Sequence, residues 1–397
     1  MSEHNDSLAQ VVVIGGGYAG ALAANHLRLR TGVGITLVNP RPHFVQRMRL
    51  HQFVAGTHDA TTGFDTLLGE GVRLVVDSAT RIDTAARTIE LASGGALDYD
   101  YVIYAVGSTA TTPASVPGAA DHAYPLAEYE HARRLRSALG EVAANAPITV
   151  VGGGATGIET AAELAEQGRA VTLVCGGMLA PAFAVPARRS IAKRLAAKEV
   201  RVLEDEKVAQ VRPHEVVLAG GRVLSSALTI WTAGFGLPEL ARRSGLRTDP
   251  AGRLLTDETL ASIDDNRIFA AGDAAAPSGR PLRMSCYAAQ PLGAQAAANV
   301  LACIAGGEPA VLDVPFVACN IGLGSDAAAM QFTRRDDTPV RFYLGGRMAG
   351  AIKKKGLSAP VEAIAKEARK PGSIPSFHGL GRRKNLPIPE TGTGVNV

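Results

Sequence analysis

The chain has 397 residues, 46% of them hydrophobic, with 44 glycines, enough to bury a substantial core and to divide into two or three domains. That composition excludes a low-complexity or fibrous chain, and a formal net charge of +4 is weak evidence for any particular partner. The charge is uneven, because residues 341–397 carry 11 Lys/Arg against 3 Glu and the remainder 30 basic against 34 acidic residues.

The N-terminal Met1 to Gln10 is polar and leads straight into a strand, so no secretory signal is read there and a cytoplasmic location is expected. Gln10 to Ile14 is a short β-branched run that ends in glycines. An Ala/Leu-rich helix, Ala21 to Leu29, and a second strand, Gly34 to Val38, complete a βαβ unit. The order recurs at Ile148 to Val151, Glu159 to Gln167 and Ala170 to Val174, which predicts a duplicated nucleotide-binding fold. Between the copies, Val72 to Val76, Thr88 to Ala92 and Tyr101 to Val106 read as strands of a meander covering the first sheet, broken at Ser93-Gly94-Gly95. The run Ser285 to Gly307 is uncharged but contains Gln290, Pro291, Gln295 and Asn299, and reads as a buried helix, not a membrane span. From Pro371 onward the composition predicts an extended or disordered tail.

Each βαβ unit carries a glycine motif between its strand and its helix. Gly15, Gly17 and Gly20 have the Gly-x-Gly-x-x-Gly spacing, with Gly16, Tyr18 and Ala19 between them, and Gly152, Gly154 and Gly157 repeat it around Ala155 and Thr156. The first glycine permits a tight turn, the second lets backbone approach a pyrophosphate, and the third lets helix pack on strand. One such motif is weak evidence; two in matching contexts predict two dinucleotide sites. An acid is expected roughly 20 residues on, to bond a ribose hydroxyl. Asn39 and Cys175 stand there instead. Asn39 can still bond a hydroxyl, whereas Cys175 leaves the choice between NADH and NADPH open. Arg188 and Arg189 could face a 2′-phosphate, although a solvated basic pair is the simpler reading. Cys175, Cys286, Cys303 and Cys319 form no close-spaced pair, which argues against a metal knuckle or a local redox disulfide.

A third element, Asn266 to Asp273, is a short strand ending in Gly272-Asp273. With Tyr104-Ala105-Val106-Gly107-Ser108-Thr109 it resembles the two-dinucleotide-binding flavoprotein superfamily. Within it, the segment from Pro42-His43-Phe44 through Leu50-His51-Gln52-Phe53-Val54-Ala55-Gly56, the loop running into Ile158-Glu159, and Ile230-Trp231-Thr232-Ala233-Gly234 are similar to type II NADH dehydrogenases and apoptosis-inducing-factor-like proteins, including ferroptosis suppressor proteins. The resemblance covers about residues 10–305. It implies an α/β fold of two Rossmann-type dinucleotide-binding domains, one for FAD and one for NADH or NADPH, plus a smaller C-terminal region. The expected boundaries are 1–112 and 235–310 for the FAD domain, 113–234 for the NAD(P)H domain, 311–370 for the C-terminal region and 371–397 for the tail.

By the same resemblance FAD is held by the first glycine loop, Asn39, Ala79, Ala105, Gly107, Asp273, Ala289 and Gln290. NAD(P)H is held by the second loop, Glu159, Cys175, Ala233 and Gly234. Glu159 and Gln290 are the candidate catalytic residues, Glu159 on the nicotinamide side or in a proton relay and Gln290 beside the flavin. The implied function is hydride transfer from NAD(P)H to FAD and then to a quinone or another small acceptor. The family's second glutamine is replaced by Ala294, with Gln295 one position late, and Ala359 to Lys370 offers only Val361, Ile364 and alanines as an apolar face. Quinone reduction at a membrane is therefore less firmly implied than the flavin chemistry. Two other readings stay open: a sulfide:quinone oxidoreductase using Cys286 and Cys319, and a flavin-bearing binding protein switched by reduction. The basic C-terminal segment, including Lys353-Lys354-Lys355, suggests weak peripheral membrane contact; without aromatic interleaving it does not suggest nucleic acid. The oligomeric state is open.

Overall fold

The computed structural model describes residues 8–375. Val11, Val12, Val13 and Ile14 in the strand Ala9–Ile14 are all buried, as a continuous apolar run is in a parallel sheet covered on both faces. Around it the first sheet runs in the order Ile268–Ala270, Tyr101–Tyr104, Ala9–Ile14, Val33–Asn39 and Val72–Val76, every pair parallel. The second sheet repeats the plan as Ala123–Pro125, Leu228–Trp231, Pro147–Val151, Ala170–Val174 and Arg201–Leu203. In both, the strand order reverses beside the glycine-loop strand. That leaves a crevice at the strands' C-terminal ends, the place where open α/β sheets bind ligands.

The chain crosses between the two domains twice, and the crossings pair as the antiparallel strands Thr109–Ala110 and Phe235–Gly236. The meander differs from expectation: it consists of Ala79–Asp83, Thr88–Leu91 and Ala96–Asp98. Val72–Val76 and Tyr101–Tyr104 belong to the parallel sheet, because each follows a covering segment long enough to cross over. The predicted buried helix is Cys286–Ile304, capped by Ser285, whose Oγ accepts from Ala288 N at 3.2 Å.

The C-terminal region is an antiparallel sheet of Ala318–Gly322, Ala328–Thr333 and Pro339–Gly345, followed by a 24-residue helix, Gly346–Arg369. Its end is anchored to the first domain. Buried Glu367 accepts from Gly372 N at 2.6 Å, Ser373 Oγ at 2.9 Å and Ile374 N at 2.8 Å, and meets His26 Nδ1 at 2.7 Å. The extended tail expected from Pro371 is thus corrected for 371–375, which folds back on this carboxylate. The remainder of that expectation lies outside the described residues. No described helix is long and apolar enough to cross a membrane.

Candidate active site

The first glycine loop leads into the helix Tyr18–His26, whose N-cap, Gly17, offers no side-chain oxygen to the first-turn N–H groups. A Cβ on Gly15, at φ +100°, or on Gly20 would land on backbone, of Ala105 and Gly15 respectively, whereas a Cβ on Gly17 would meet nothing within 4 Å. Two glycines are therefore required by packing and the third leaves its backbone open to an anion. Asn39 Oδ1 accepts from Gly16 N at 2.9 Å and Asn39 Nδ2 donates to Arg41 O at 2.7 Å, so this amide also fixes the loop. Buried Tyr18 Oη makes no hydrogen bond of ordinary geometry, an orphan that a polar ligand atom would satisfy.

Asp273 follows the strand Ile268–Ala270 and accepts from Ser108 Oγ at 2.7 Å. Arg47 Nη1 donates to that same Oγ at 3.0 Å and to Ser108 O at 2.8 Å. Burial holds the Arg47 guanidinium below its ordinary pKa, opposed by the Asp273 charge. Gly107, at φ +69°, passes close to Arg47. Ala105 N donates to Ile14 O at 2.9 Å, placing that segment beside the first glycine. Ala79 opens its strand two residues after Asp77, whose N–H bonds Asn39 O at 3.0 Å. The helix Cys286–Ile304 brings in the rest. Its Gly293 lies where a Cβ would strike the Ala19 backbone, and Ala289 faces Gly272 and so stands beside Asp273. Gln290, however, donates through Nε2 to Pro360 O at 2.7 Å, so this amide ties the helix to the C-terminal region. Gln295 bonds Asn299 Oδ1 at 2.9 Å and is structural.

The second loop repeats the geometry. A Cβ on Gly152, at φ +124°, would crowd Thr232 and Ala233 N, one on Gly157 would land on Gly152 O, and one on Gly154 would meet nothing. Gly154 caps the helix Ala155–Glu166 without a side-chain bond, so the N–H groups of Ala155, Thr156 and Gly157 open its first turn. Ala233 and Gly234, the latter at φ +80°, follow Thr232, which bonds Val151 O from both N and Oγ1. Cys175 backs the middle glycine, its Sγ 3.2 Å from where a Gly153 Cβ would stand.

Glu159 departs from the simple picture of an acid at a helix start. It is buried and turns away from the loop: Oε1 accepts from Gly322 N at 2.8 Å and from Lys353 Nζ at 2.7 Å, while Oε2 is 3.8 Å from His51 Nδ1. Burial pushes its pKa up, but Lys353, helped by the Gly322 N–H, outweighs that and holds it below the ordinary value. Burial takes His51 down to about 4, more than Glu159 restores. Four segments meet at this carboxylate: both dinucleotide domains, the C-terminal sheet and the C-terminal helix. Sequence reading missed Lys353 and Arg47. Lys353 lies in a lysine run that looks solvated, and the only signal for Arg47 is its place inside the segment Pro42 to Gly56.

The four cysteines are free thiols. Cys286 Sγ lies 2.7 Å from Met48 Sδ, and burial pushes its thiol up to about 11. A cavity of about 660 Å³ lined by His122, His131, Arg134 and His214 lies along the far edge of the second sheet and includes no glycine-loop residue, so the chemistry is assigned to the two open crevices.

Two glycine loops at two switch points, with an Asp-Ser-Arg chain beside the first, define a two-domain flavoprotein oxidoreductase. The chain belongs to the pyridine nucleotide-disulphide oxidoreductase family, whose model matches residues 9–296. Members use FAD with NADH or NADPH, and both loops fit those dinucleotides. The chain is 31% identical over 352 residues to an NADH dehydrogenase-like protein of Mycobacterium tuberculosis, covering 81% of this chain and 87% of that one. It is 24% identical over 360 residues to a type II NADH:quinone oxidoreductase of Haemophilus influenzae, covering 74% and 80%. Among solved structures, the sulfide:quinone oxidoreductase of Aquifex aeolicus superposes with a TM-score of 0.77 at 19% identity over 90% of this chain and 92% of that one. NDH2 of Plasmodium falciparum in complex with RYL-552 gives 0.77 at 15%, over 91% and 97%.

Proposed function

We propose that this chain is an FAD-dependent NAD(P)H oxidoreductase that delivers electrons to a quinone or a similar small acceptor. The carrying observation is the pair of crevices, each ending in a glycine loop whose second glycine leaves the backbone exposed. When bound, FAD supplies a two-electron acceptor for the donor's hydride and a reductant for the quinone. The protein contributes position. Asp273, held by Ser108 and Arg47, is the residue for the ribityl hydroxyls, and Gly17 and Gly154 admit the two pyrophosphates. Glu159, buried between the domains, and Lys353, which reaches it from the partly exposed C-terminal helix, form the acid–base pair best placed to move protons there.

Gly154→Glu tests the donor site. A Cβ there meets no protein atom within 4 Å and the carboxylate beyond it competes for the anion's place, so NADH and NADPH should no longer reduce the flavin while photoreduction proceeds. Reduction by NADH at the parent rate would end the assignment. Asp273→Ala should lose flavin on dilution; full flavin occupancy in that variant would remove Asp273 from the cofactor's site.

The acceptor reading includes peripheral attachment to an anionic bilayer. Phe342, Met348 and Ile352 are 66%, 65% and 42% exposed on the strand Pro339–Gly345 and the first turns of the helix after it. Arg341, Arg347, Lys354 and Lys355 flank them. This apolar set lies upstream of Ala359 to Lys370, where an apolar face was sought from sequence; Ile364 faces inward and is fully buried. Each cation near an anionic leaflet contributes about 1 kcal/mol. Sedimentation with phosphatidylserine vesicles at low salt should carry the protein down, and Phe342→Ser/Met348→Ser should leave it in the supernatant. Recovery of the parent in the supernatant with or without vesicles would refute attachment.

A further inference from the structure

The second dinucleotide unit lacks the strand-end acid that usually receives the adenosine ribose, and Cys175 occupies its place. The structure supplies carboxylates from the next strand. Arg201–Leu203 runs parallel to Ala170–Val174 and ends beside it, with Cys175 N donating to Leu203 O at 2.9 Å. The two loops beyond are stitched together, Gly176 N to Glu206 O at 2.9 Å and Asp205 N to Gly177 O at 2.8 Å. Glu204 Oε2 accepts from Leu179 N at 3.2 Å, and Ala180 N bonds Gly153 O at 2.8 Å. The Glu204 carboxylate is thereby fixed on the same short loop that abuts the middle glycine.

The thiol reports the same proximity. Burial pushes Cys175 up to about 12, and the charges of Glu204 and then Asp205 push it the same way. Glu204 and Asp205 are exposed, and neither has an ion-pair partner among the described pairs, whereas Glu206 is engaged by Arg222 at 3.0 Å. A Cβ on Gly176 or Gly177 would meet nothing within 4 Å, so the floor where the ribose would rest is bare backbone. An anion brought there faces two uncompensated carboxylates.

Resting on the reading that this crevice takes the donor, we propose that Glu204, assisted by Asp205, replaces the missing strand-end acid and selects NADH by repelling the 2′-phosphate of NADPH. Arg188 and Arg189 open the following helix, Val185–Ala197, which packs on Arg201–Leu203 and on the C-terminal sheet. They would serve the opposite preference, so the experiment separates the two signs.

Calorimetric titration of the FAD-loaded protein with ADP-ribose and with its 2′-phosphate decides it without any electron transfer. ADP-ribose should bind at least about tenfold more tightly at low salt, and the ratio should shrink toward one as salt screens the repulsion. Glu204→Gln keeps an acceptor for Leu179 N but removes the charge; it should bring the ratio down several-fold with ADP-ribose affinity nearly unchanged. Should that variant fold poorly, Asp205→Asn and the salt series carry the test. Equal or tighter binding of the 2′-phosphate by the parent, or a ratio untouched by both charge removals, overturns the proposal. Intact discrimination in a protein whose flavin NADH fails to reduce would refute the oxidoreductase reading and leave this one standing.

Discussion

His51 is fully packed beside Glu159, Lys353 and Arg49, and stays neutral because burial outweighs the nearby carboxylate. A histidine whose folded pKa lies below its unfolded value of about 6.5 adds stability that is complete above that value. It is lost as pH falls through the window toward about 4. The loss amounts to at most about 3 kcal/mol. Thermal unfolding between these limits should show a steep decline in the parent and a flatter one in His51→Gln; parallel profiles would show that the imidazole is not the group titrating. Glu159→Ala leaves the largely enclosed Lys353 without its partner and should cost about 3 kcal/mol or less in urea unfolding, more than Glu159→Gln. The glycines were legible from sequence because their requirement is local, a positive φ at Gly15 and Gly152 and open backbone at Gly17 and Gly154. Arg47 and Lys353 were not, because nothing within a few residues of either marks the Ser108 or Glu159 that it reaches across the fold.

At the scale of elements, the helix Cys286–Ile304 lies against Tyr18–His26 with Gly293 on the Ala19 backbone. That contact sets how near Ala289 comes to Gly272. Gly293→Val forces a branched side chain into backbone, and overpacking of this kind costs about 1–3 kcal/mol. The first consequence should be separation of the two helices, read as lowered FAD content at a Tm reduced by only a few degrees. Unchanged flavin content would mean the contact is slack. Both βαβ units and this helix could be read from apolar runs and punctuation. The assignment of Val72–Val76 to the meander failed because a short alternating run at a sheet edge has the same pattern in either place; only its parallel pairing with Val33–Asn39 decides. The C-terminal helix was not read from sequence, since Pro360 and the lysine run conceal its continuity.

Across the whole molecule, that helix acts as a caliper. Lys353 near its start grips the second domain at Glu159, Glu367 near its end grips the first at His26, and the interval of 14 residues spans about 21 Å at helical rise. Two bodies clipped to one rod at fixed marks cannot change their separation freely. Any opening between them has to bend the rod, and Pro360, between the marks and clasped by Gln290, is where it can yield. An alanine inserted between Ala363 and Ile364 leaves Lys353 in place but turns Glu367 by about 100° and advances it about 1.5 Å. His26 should lose its partner, and trypsin should then cut after Lys366 and Arg369 well before the rest of the chain opens. A digestion pattern identical to the parent's would show the spacing to be tolerant. The matched family region ends at residue 296, so each of these two clips joins a residue inside it, Glu159 or His26, to one on a helix that lies wholly beyond it.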